Sequence, residues 1–219
     1  MAIYWCDTCK VPVVKAKCPV CKQRAHAMAQ DIRPVFPEEV LLLELILHRK
    51  NELRDKNIWN AKGNHYFVDG QSIQFSLQQA INEWDPLQLR HLWIEEKRQA
   101  LDTMYENFYT QIENLVQANQ VHYQEIEDMS FEFIKKAIYD NSKRIPVVSF
   151  SGGKDSTVVS SLVRRALGTP SIIHIFGDTT LEMPMTYEYV KRFRKLNRKI
   201  PFFIPRSHHD FLDLCDRIG

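Results

Sequence analysis

The run Ile145-Pro146-Val147-Val148-Ser149-Phe150-Ser151-Gly152-Gly153-Lys154-Asp155-Ser156-Thr157 decides the fold of the carboxy-terminal third of this chain. Ile145 to Phe150 reads as a short buried strand, the paired glycines as a tight turn, and Ser156 to Leu167 as a helix that stops at Gly168. The pattern then repeats. Ser171 to Phe176 reads as a strand, Pro184 to about Arg198 as a helix, Ile200 to Ile204 as a strand, and Ser207 opens a further helix. Three alternations of strand and helix predict an α/β domain built on a parallel sheet with flanking helices and right-handed crossovers. Ligands on such sheets bind at the carboxyl ends of the strands, which puts residues 151–155 and 178–182 on one rim.

Ser151-Gly152-Gly153-Lys154-Asp155-Ser156 carries the chemistry. Two glycines let consecutive backbone N–H groups turn inward, and the amino terminus of the following helix adds partial positive charge, so the loop is an anion cradle. The hydroxyls of Ser151, Ser156 and Thr157 are placed to donate to phosphate oxygens, and Lys154 to neutralise charge. Asp155 would repel a bare phosphate, so its presence points to a bridging Mg²⁺ held by carboxylate and phosphate oxygens. Neither Gly-x-x-x-x-Gly-Lys-Ser/Thr nor Gly-x-Gly-x-x-Gly is present at this loop.

The stretch from Ser149 to Thr157 resembles the PP-loop of the adenine nucleotide alpha hydrolase superfamily, whose fold is HUP-like, and specifically its phosphoadenosine phosphosulfate (PAPS) reductase-like branch. Phe176-Gly177-Asp178-Thr179-Thr180-Leu181-Glu182-Met183-Pro184-Met185-Thr186 is similar to the branch's Asp-Thr-Gly-x-x-Phe-Pro-Glu-Thr stretch. It departs at Thr180 for glycine, Met183 for phenylalanine and Met185 for glutamate, with Glu182 as a substitute carboxylate. The resemblance covers about residues 130–219. It implies an adenine nucleotide, ATP or a relative, bound by Ser149, Phe150, Ser151, Gly152, Gly153, Lys154, Asp155, Ser156, Thr157, Asp178 and Glu182, with Lys154 and Asp155 as the catalytic residues. The implied reaction is ATP pyrophosphatase-type adenylyl transfer, giving AMP and pyrophosphate, in a sulfur-transfer or nucleic-acid-modification setting. The cradle suits a leaving pyrophosphate, because charge develops there.

Two other readings stand beside it. One is a sulfonucleotide (PAPS or APS) reductase-like enzyme, which would use a cysteine in a Glu-Cys-Gly-type tail. Cys215 lacks that context and reads as a buried thiol. The other is a non-catalytic nucleotide-binding subunit of a nucleic-acid-modifying or defence complex. PP-loop domains of this kind continue beyond three strand–helix units, so the expectation is an incomplete domain, served by a protein partner or by a missing carboxy-terminal portion.

At the other end, Cys6-x-x-Cys9 and Cys18-x-x-Cys21 form two knuckles able to give four thiolates to one tetrahedral metal. The pattern resembles a zinc ribbon or rubredoxin, with structural Zn²⁺ expected and iron or an iron–sulfur cluster as the alternative. Lys10, Lys15, Lys17 and Lys22 surround the knuckles and are expected to favour thiolates. Clustered cysteines of this spacing, with no basic and apolar leader before them, point to a reduced, cytoplasmic setting.

Of 219 residues, 44% are apolar and 26% charged, an ordinary globular balance that excludes disorder and low complexity. The longest apolar run, Val40 to Leu47, falls far short of the roughly 20 residues of a membrane helix. Composition suggests three segments: a zinc-ribbon-like module over 1–30, a mainly helical middle over 31–142, and the nucleotide-binding domain over 143–219. Their formal charges are +4, −8 and +6, so two basic ends flank an acidic middle. The first segment looks too poor in apolar residues to build its own core. Residues 31–37 read as an extended connector and Pro37 opens a helix. A hairpin is expected over 65–75 around Asp69-Gly70, then helices over Pro86 to Ala118 and Phe131 to Asp140. The basic cluster Arg192, Arg194, Lys195, Arg198 and Lys199 reads as a solvated face, with nucleic acid as the other candidate, and His208-His209 as a polar helix start.

Overall fold

Turn chemistry sets the amino-terminal strands. Lys10 and Lys22, each directly after the second cysteine of its pair, take left-handed backbone with φ of 53° and 63°. Lys10 N donates to Cys6 O (2.8 Å) and Lys22 N to Cys18 O (3.0 Å), so both knuckles close by the same turn. The first turn joins β1 (Ile3–Cys6) to β2 (Val11–Val13), and β3 (His26–Ala29) pairs with the other edge of β1, all antiparallel. The computed structural model describes residues 2–206 and 211–218, so His208-His209 and Ser207 lie outside the described residues.

A second antiparallel sheet runs β4-β5-β6-β7, from β4 (Arg33–Pro34), β5 (Ile58–Asn60), β6 (His65–Val68) and β7 (Gln71–Gln74), with α1 (Pro37–Ile46) between β4 and β5. The hairpin expected from Asp69-Gly70 is half of this sheet, and both turn residues take positive φ (48° and 81°), as a type I′ turn requires. Gly70 is constrained a second time: a Cβ there would lie 2.2 to 2.5 Å from ring atoms of Trp5. Trp5 is fully buried with Trp59 and Phe67. The first 30 residues therefore borrow a core from the second sheet, where composition alone pointed to a segment with none.

α2 (Leu77–Glu83) is capped by Ser76, whose Oγ accepts from Gln79 N at 3.2 Å, and α3 (Pro86–Ala118) by Asp85, which accepts from Gln88 N at 2.8 Å. Met104 of α3 packs into the cluster formed by Val40, Leu41 and Leu43 of α1. The 47–56 turn is held by a buried carboxylate: Glu44, 2% exposed, accepts from Leu53 N (2.8 Å) and Arg54 Nε (3.0 Å), and Arg54 continues to Glu96. α4 (Gln120–Asp140) begins well before the helix expected from Phe131. Asn119 alone separates it from α3. Its Oδ1 accepts from Val14 N (3.0 Å), while its Nδ2 donates to Pro12 O (2.9 Å) and Leu115 O (2.8 Å). A break set by contacts with a distant strand leaves no mark on local periodicity.

The chain divides into two compact units, Met1–Tyr123 and Gln124–Gly219. The second has α/β architecture: β8 (Val147–Ser149), α5 (Lys154–Leu167), β9 (Ile173–Ile175), α6 (Pro184–Leu196), β10 (Phe202–Phe203) and α7 (Phe211–Ile218), with a parallel sheet in the order β10-β9-β8. Val148, His174 and Phe202 stand in register on one sheet face. Phe150 and Phe176 extend that side of the sheet into a core with Val190, Phe193 and Ile200. His174 is fully buried and burial pushes its pKa down. Its Nδ1–H donates to Ile172 O (2.8 Å), so Nε2 accepts from the Ser160 hydroxyl (2.7 Å) and the ring stays neutral. No helix among the described residues is long and apolar enough to cross a membrane.

The double constraint on Gly70 gives a direct test. Gly70→Ala is expected to destabilise the Met1–Tyr123 unit by at least about 2 kcal/mol, from the left-handed backbone and the clash with Trp5 together. Chemical denaturation followed by tryptophan fluorescence reads it.

Candidate functional site

β8 ends at Ser149 and α5 begins at Lys154, so residues 150–153 must turn the chain sharply between them. Phe150 anchors the turn: it is 1% exposed and its N–H donates to Ile175 O at 2.8 Å. Gly152 makes the reversal with φ of 77°. A Cβ on Gly152 would sit 3.2 Å from both Thr186 Cγ2 and Val190 Cγ2, because α6 lies against the loop. Gly153, the residue before the helix, has φ of −82°, and a Cβ there would meet only Ser151 Oγ at 3.4 Å. The steric need for glycine thus falls on Gly152. Lys154 and Asp155 occupy the exposed first turn of α5, whose amino terminus has no side-chain cap.

The loop hydroxyls bond inside the loop. Ser156 Oγ donates to Gly153 O (3.0 Å) and accepts from Ser151 N (3.2 Å), and Ser151 Oγ accepts from Gly153 N (3.3 Å). Thr157 Oγ1 donates to Gly153 O (2.9 Å), so Tyr189 OH is the donor in the 2.9 Å bond between the two hydroxyls. These bonds shape the cradle and leave its geometry to the backbone.

On the second rim segment, Tyr187 OH sits between two carboxylates, 2.6 Å from Asp178 Oδ1 and 3.2 Å from Glu182 Oε2. This hydroxyl holds the Asp178 carboxyl below its ordinary range, and the Thr179 hydroxyl, 2.7 Å from Glu182 Oε1, does the same for Glu182. The Asp178 carboxylate in turn pushes the Tyr187 phenol up to about 12. Arg206 Nε lies 3.7 Å from Asp178 Oδ2. Thr180, which departs from the glycine of the motif this segment resembles, takes φ of 69°, a strained choice for a β-branched residue, and its buried Oγ1 has no hydrogen-bond partner. Asp155, Asp178 and Glu182 are not gathered into a metal-ligand set. Tyr187, Tyr189 and Arg206 escaped the sequence reading. Tyr-Glu-Tyr near the start of a helix beside an acidic loop was the available signal for the first two.

The four cysteines are gathered. Among the described residues, Cys6, Cys9, Cys18 and Cys21 form the only group of three or more candidate ligands, with all sulfurs within 4.8 Å of one another. Cys6 and Cys21 sulfurs are 3.4 Å apart and those of Cys9 and Cys18 3.9 Å. A tetrahedral site with metal–sulfur bonds of about 2.3 Å needs sulfurs about 3.8 Å apart, so the quartet can hold a metal ion. Cys21 is brought down to about 7, mainly by the Gln23 backbone N–H, whereas burial pushes Cys9 up to about 12. The lysines expected to favour thiolates do not set these values, because backbone hydrogen bonds and burial act at closer range. Cys215, expected to be buried, is exposed, in line with the exposure of residues 215–218 in short α7.

A parallel sheet, a glycine reversal after its edge strand and an uncapped helix amino terminus give this α/β unit the architecture of the PP-loop kind. Residues 145–211 match the phosphoadenosine phosphosulfate reductase domain, which supports the resemblance of this part of the chain to the PAPS reductase-like branch of the PP-loop superfamily. The chain is also similar to two uncharacterized proteins of Methanocaldococcus jannaschii. One is 28% identical over 118 residues, 53% of this chain and 26% of the relative. The other is 36% identical over 88 residues, 40% of this chain and 18% of the relative. The matches thus span about a quarter and a fifth of the relatives' length. No solved structure matches.

Two outcomes follow from this geometry. Thr180→Gly is expected to stabilise the Gln124–Gly219 unit by about 1 kcal/mol, as relief of left-handed strain outweighs the added chain entropy, read by thermal unfolding. Elemental analysis of protein purified without chelator is expected to find one metal ion per chain, and Cys9→Ser to deplete it and loosen the amino-terminal strands.

Proposed function

We propose that residues 149–157, with Asp178 and Glu182 across the rim, bind an adenine nucleotide and support ATP pyrophosphatase-type adenylyl transfer in a sulfur-transfer or nucleic-acid-modification setting. The observation that carries this reading is the uncapped amino terminus of α5, directly after a left-handed glycine. Its first N–H groups have no side-chain acceptor, and the helix dipole favours an anion there. The phosphates would lie on the backbone of Gly152 and Gly153, with Lys154 neutralising charge and Asp155 as the carboxylate for Mg²⁺. When bound, Mg²⁺ supplies positive charge shared across the phosphate oxygens. In the reaction, an acceptor oxygen or sulfur attacks the alpha-phosphorus, the bond to the bridging oxygen breaks, and pyrophosphate leaves with the bonding pair. The N–H cradle and Lys154 stabilise that departing charge. Zinc is the metal we assign to the cysteine quartet, in a structural role.

A second reading, sulfonucleotide reduction, is supported by the match to the phosphoadenosine phosphosulfate reductase domain. PAPS displacing ATP at equal concentration would favour it.

β8 is the edge of its sheet among the described residues, so no strand walls the rim on the side away from β9. Water on the open side weakens electrostatic stabilisation, and each tenfold loss in rate corresponds to about 1.4 kcal/mol. The chain alone is therefore expected to bind Mg²⁺–ATP with modest affinity and to release pyrophosphate slowly until a partner or further chain closes the rim. Calorimetry is expected to show no ATP binding by Gly152→Val, while Gly153→Ala stays folded and binds at least tenfold more weakly. Unchanged affinity in both variants would overturn the proposal.

A further inference from the structure

The Met1–Tyr123 unit carries a cavity that the nucleotide reading does not use. It measures about 380 Å³ and lies between the second cysteine knuckle and the start of α4. That volume falls within the range of about 300–1,000 Å³ of small-ligand sites. Its floor is largely apolar, with Val14, Cys18 and Val121 among its walls, and three cations line it: Lys15, Lys17 and Lys22. No carboxylate lines it. Lys22 Nζ is tied to Pro19 O at 2.6 Å, whereas Lys15 and Lys17 are exposed and make no ion pair among the described residues. The opposite wall is the first turn of α4, which adds partial positive charge, and the side chain of Asn119 pins that wall to β2 and the residue after it.

We propose that this cavity binds single-stranded nucleic acid, taking one unpaired base against its apolar floor while the lysines meet the flanking phosphates. Three features select this ligand. The space combines a largely apolar lining with lysines along one side, which suits a flat apolar body carrying negative charge. All its cations are lysines, point charges that accept tetrahedral phosphate from many directions, whereas planar carboxylates are met best by the fork of arginine. Residues 1–30 hold five basic residues against one acidic residue, so a positive excess remains after a divalent metal with four thiolates has taken two units of it. A base must be unpaired to enter a pocket of this size, which favours single strands over duplex. The proposal is independent of the nucleotide site, which belongs to the other unit.

The test is fluorescence anisotropy of a labelled 12-nucleotide single-stranded RNA titrated with the metal-loaded full chain, repeated across salt concentrations. Wild type is expected to bind, and the Lys15→Ala/Lys17→Ala double variant to bind at least tenfold more weakly. Loss of two phosphate contacts should flatten the slope of log K against log salt by about 1.4, at about 0.7 per phosphate for a single strand. Unchanged metal content and circular dichroism show that the double variant is folded. Val121→Glu, which places a carboxylate in the cavity wall, should weaken binding as well. No binding at low salt, an unchanged slope in the double variant, equal affinity for duplex RNA, or equal competition by an acidic peptide would each overturn the proposal. Gly152→Val should retain RNA binding while losing ATP, so the two sites fail separately.

Discussion

The left-handed turn at Gly152 is the constraint on which the Gln124–Gly219 unit depends. A parallel strand can feed a helix that packs back over the same sheet only if the chain reverses within a few residues. Here the reversal is made where α6 comes within van der Waals reach, so Gly152 must satisfy a dihedral and a steric demand at once. The consequence is functional. Because the turn is made by backbone, and the hydroxyls of Ser151, Ser156 and Thr157 are engaged in bracing it, the surface it presents is a set of N–H groups at a helix amino terminus. Such a surface recognises charge and geometry more than side-chain identity. The individuality of the site must then come from the second rim segment, where Tyr187 links Asp178 and Glu182.

The Met1–Tyr123 unit is organised by a comparable economy. Gly70 lets the hairpin of the second sheet close over Trp5 of the first, and the carboxamide of Asn119 bonds both to β2 and to the end of α3. Each joins residues far apart in sequence through one small group. A segment of about thirty residues whose four cysteines can hold a metal ion would otherwise have to rely on such an ion for stability. Here burial of Trp5 against Trp59 and Phe67 adds a second source. The two sources would fail differently: removal of an ion held by the cysteines would open the knuckles, whereas loss of the Trp5 contact would detach the strands from the neighbouring sheet.

Much of the architecture was legible because it rests on local signals. The α3 boundaries follow from Asp85-Pro86 and an unbroken stripe, the hairpin from Asp69-Gly70, and the parallel sheet from three alternations of branched runs and helical spacing. What escaped had no local signature. β5 is only three residues long and becomes a strand through pairing on both sides, and α4 was read too short because Asn119 breaks the helix through contacts with β2. Glu44 fell unremarked inside the apolar run Val40 to Leu47, although its buried carboxylate fixes a turn through Leu53 and Arg54. Thr180 was noted as a departure from glycine, but its strained backbone and orphaned hydroxyl required coordinates.

By itself the sequence determined the α/β class of residues 143–219, the spacing of four metal-competent cysteines and the residue types in the cradle, because turns, helical periodicity and knuckle spacing are encoded within a few residues of chain. Tertiary structure alone decided which glycine bears the strain, that the first strands share a core with residues sixty positions away, and that Tyr187 joins the two acids of the rim. It also decided that lysines scattered along the ribbon line one cavity with the start of α4. The physical reason is common to all four. Steric approach, burial and charge depend on distances between segments, and those distances come into being only when the chain folds.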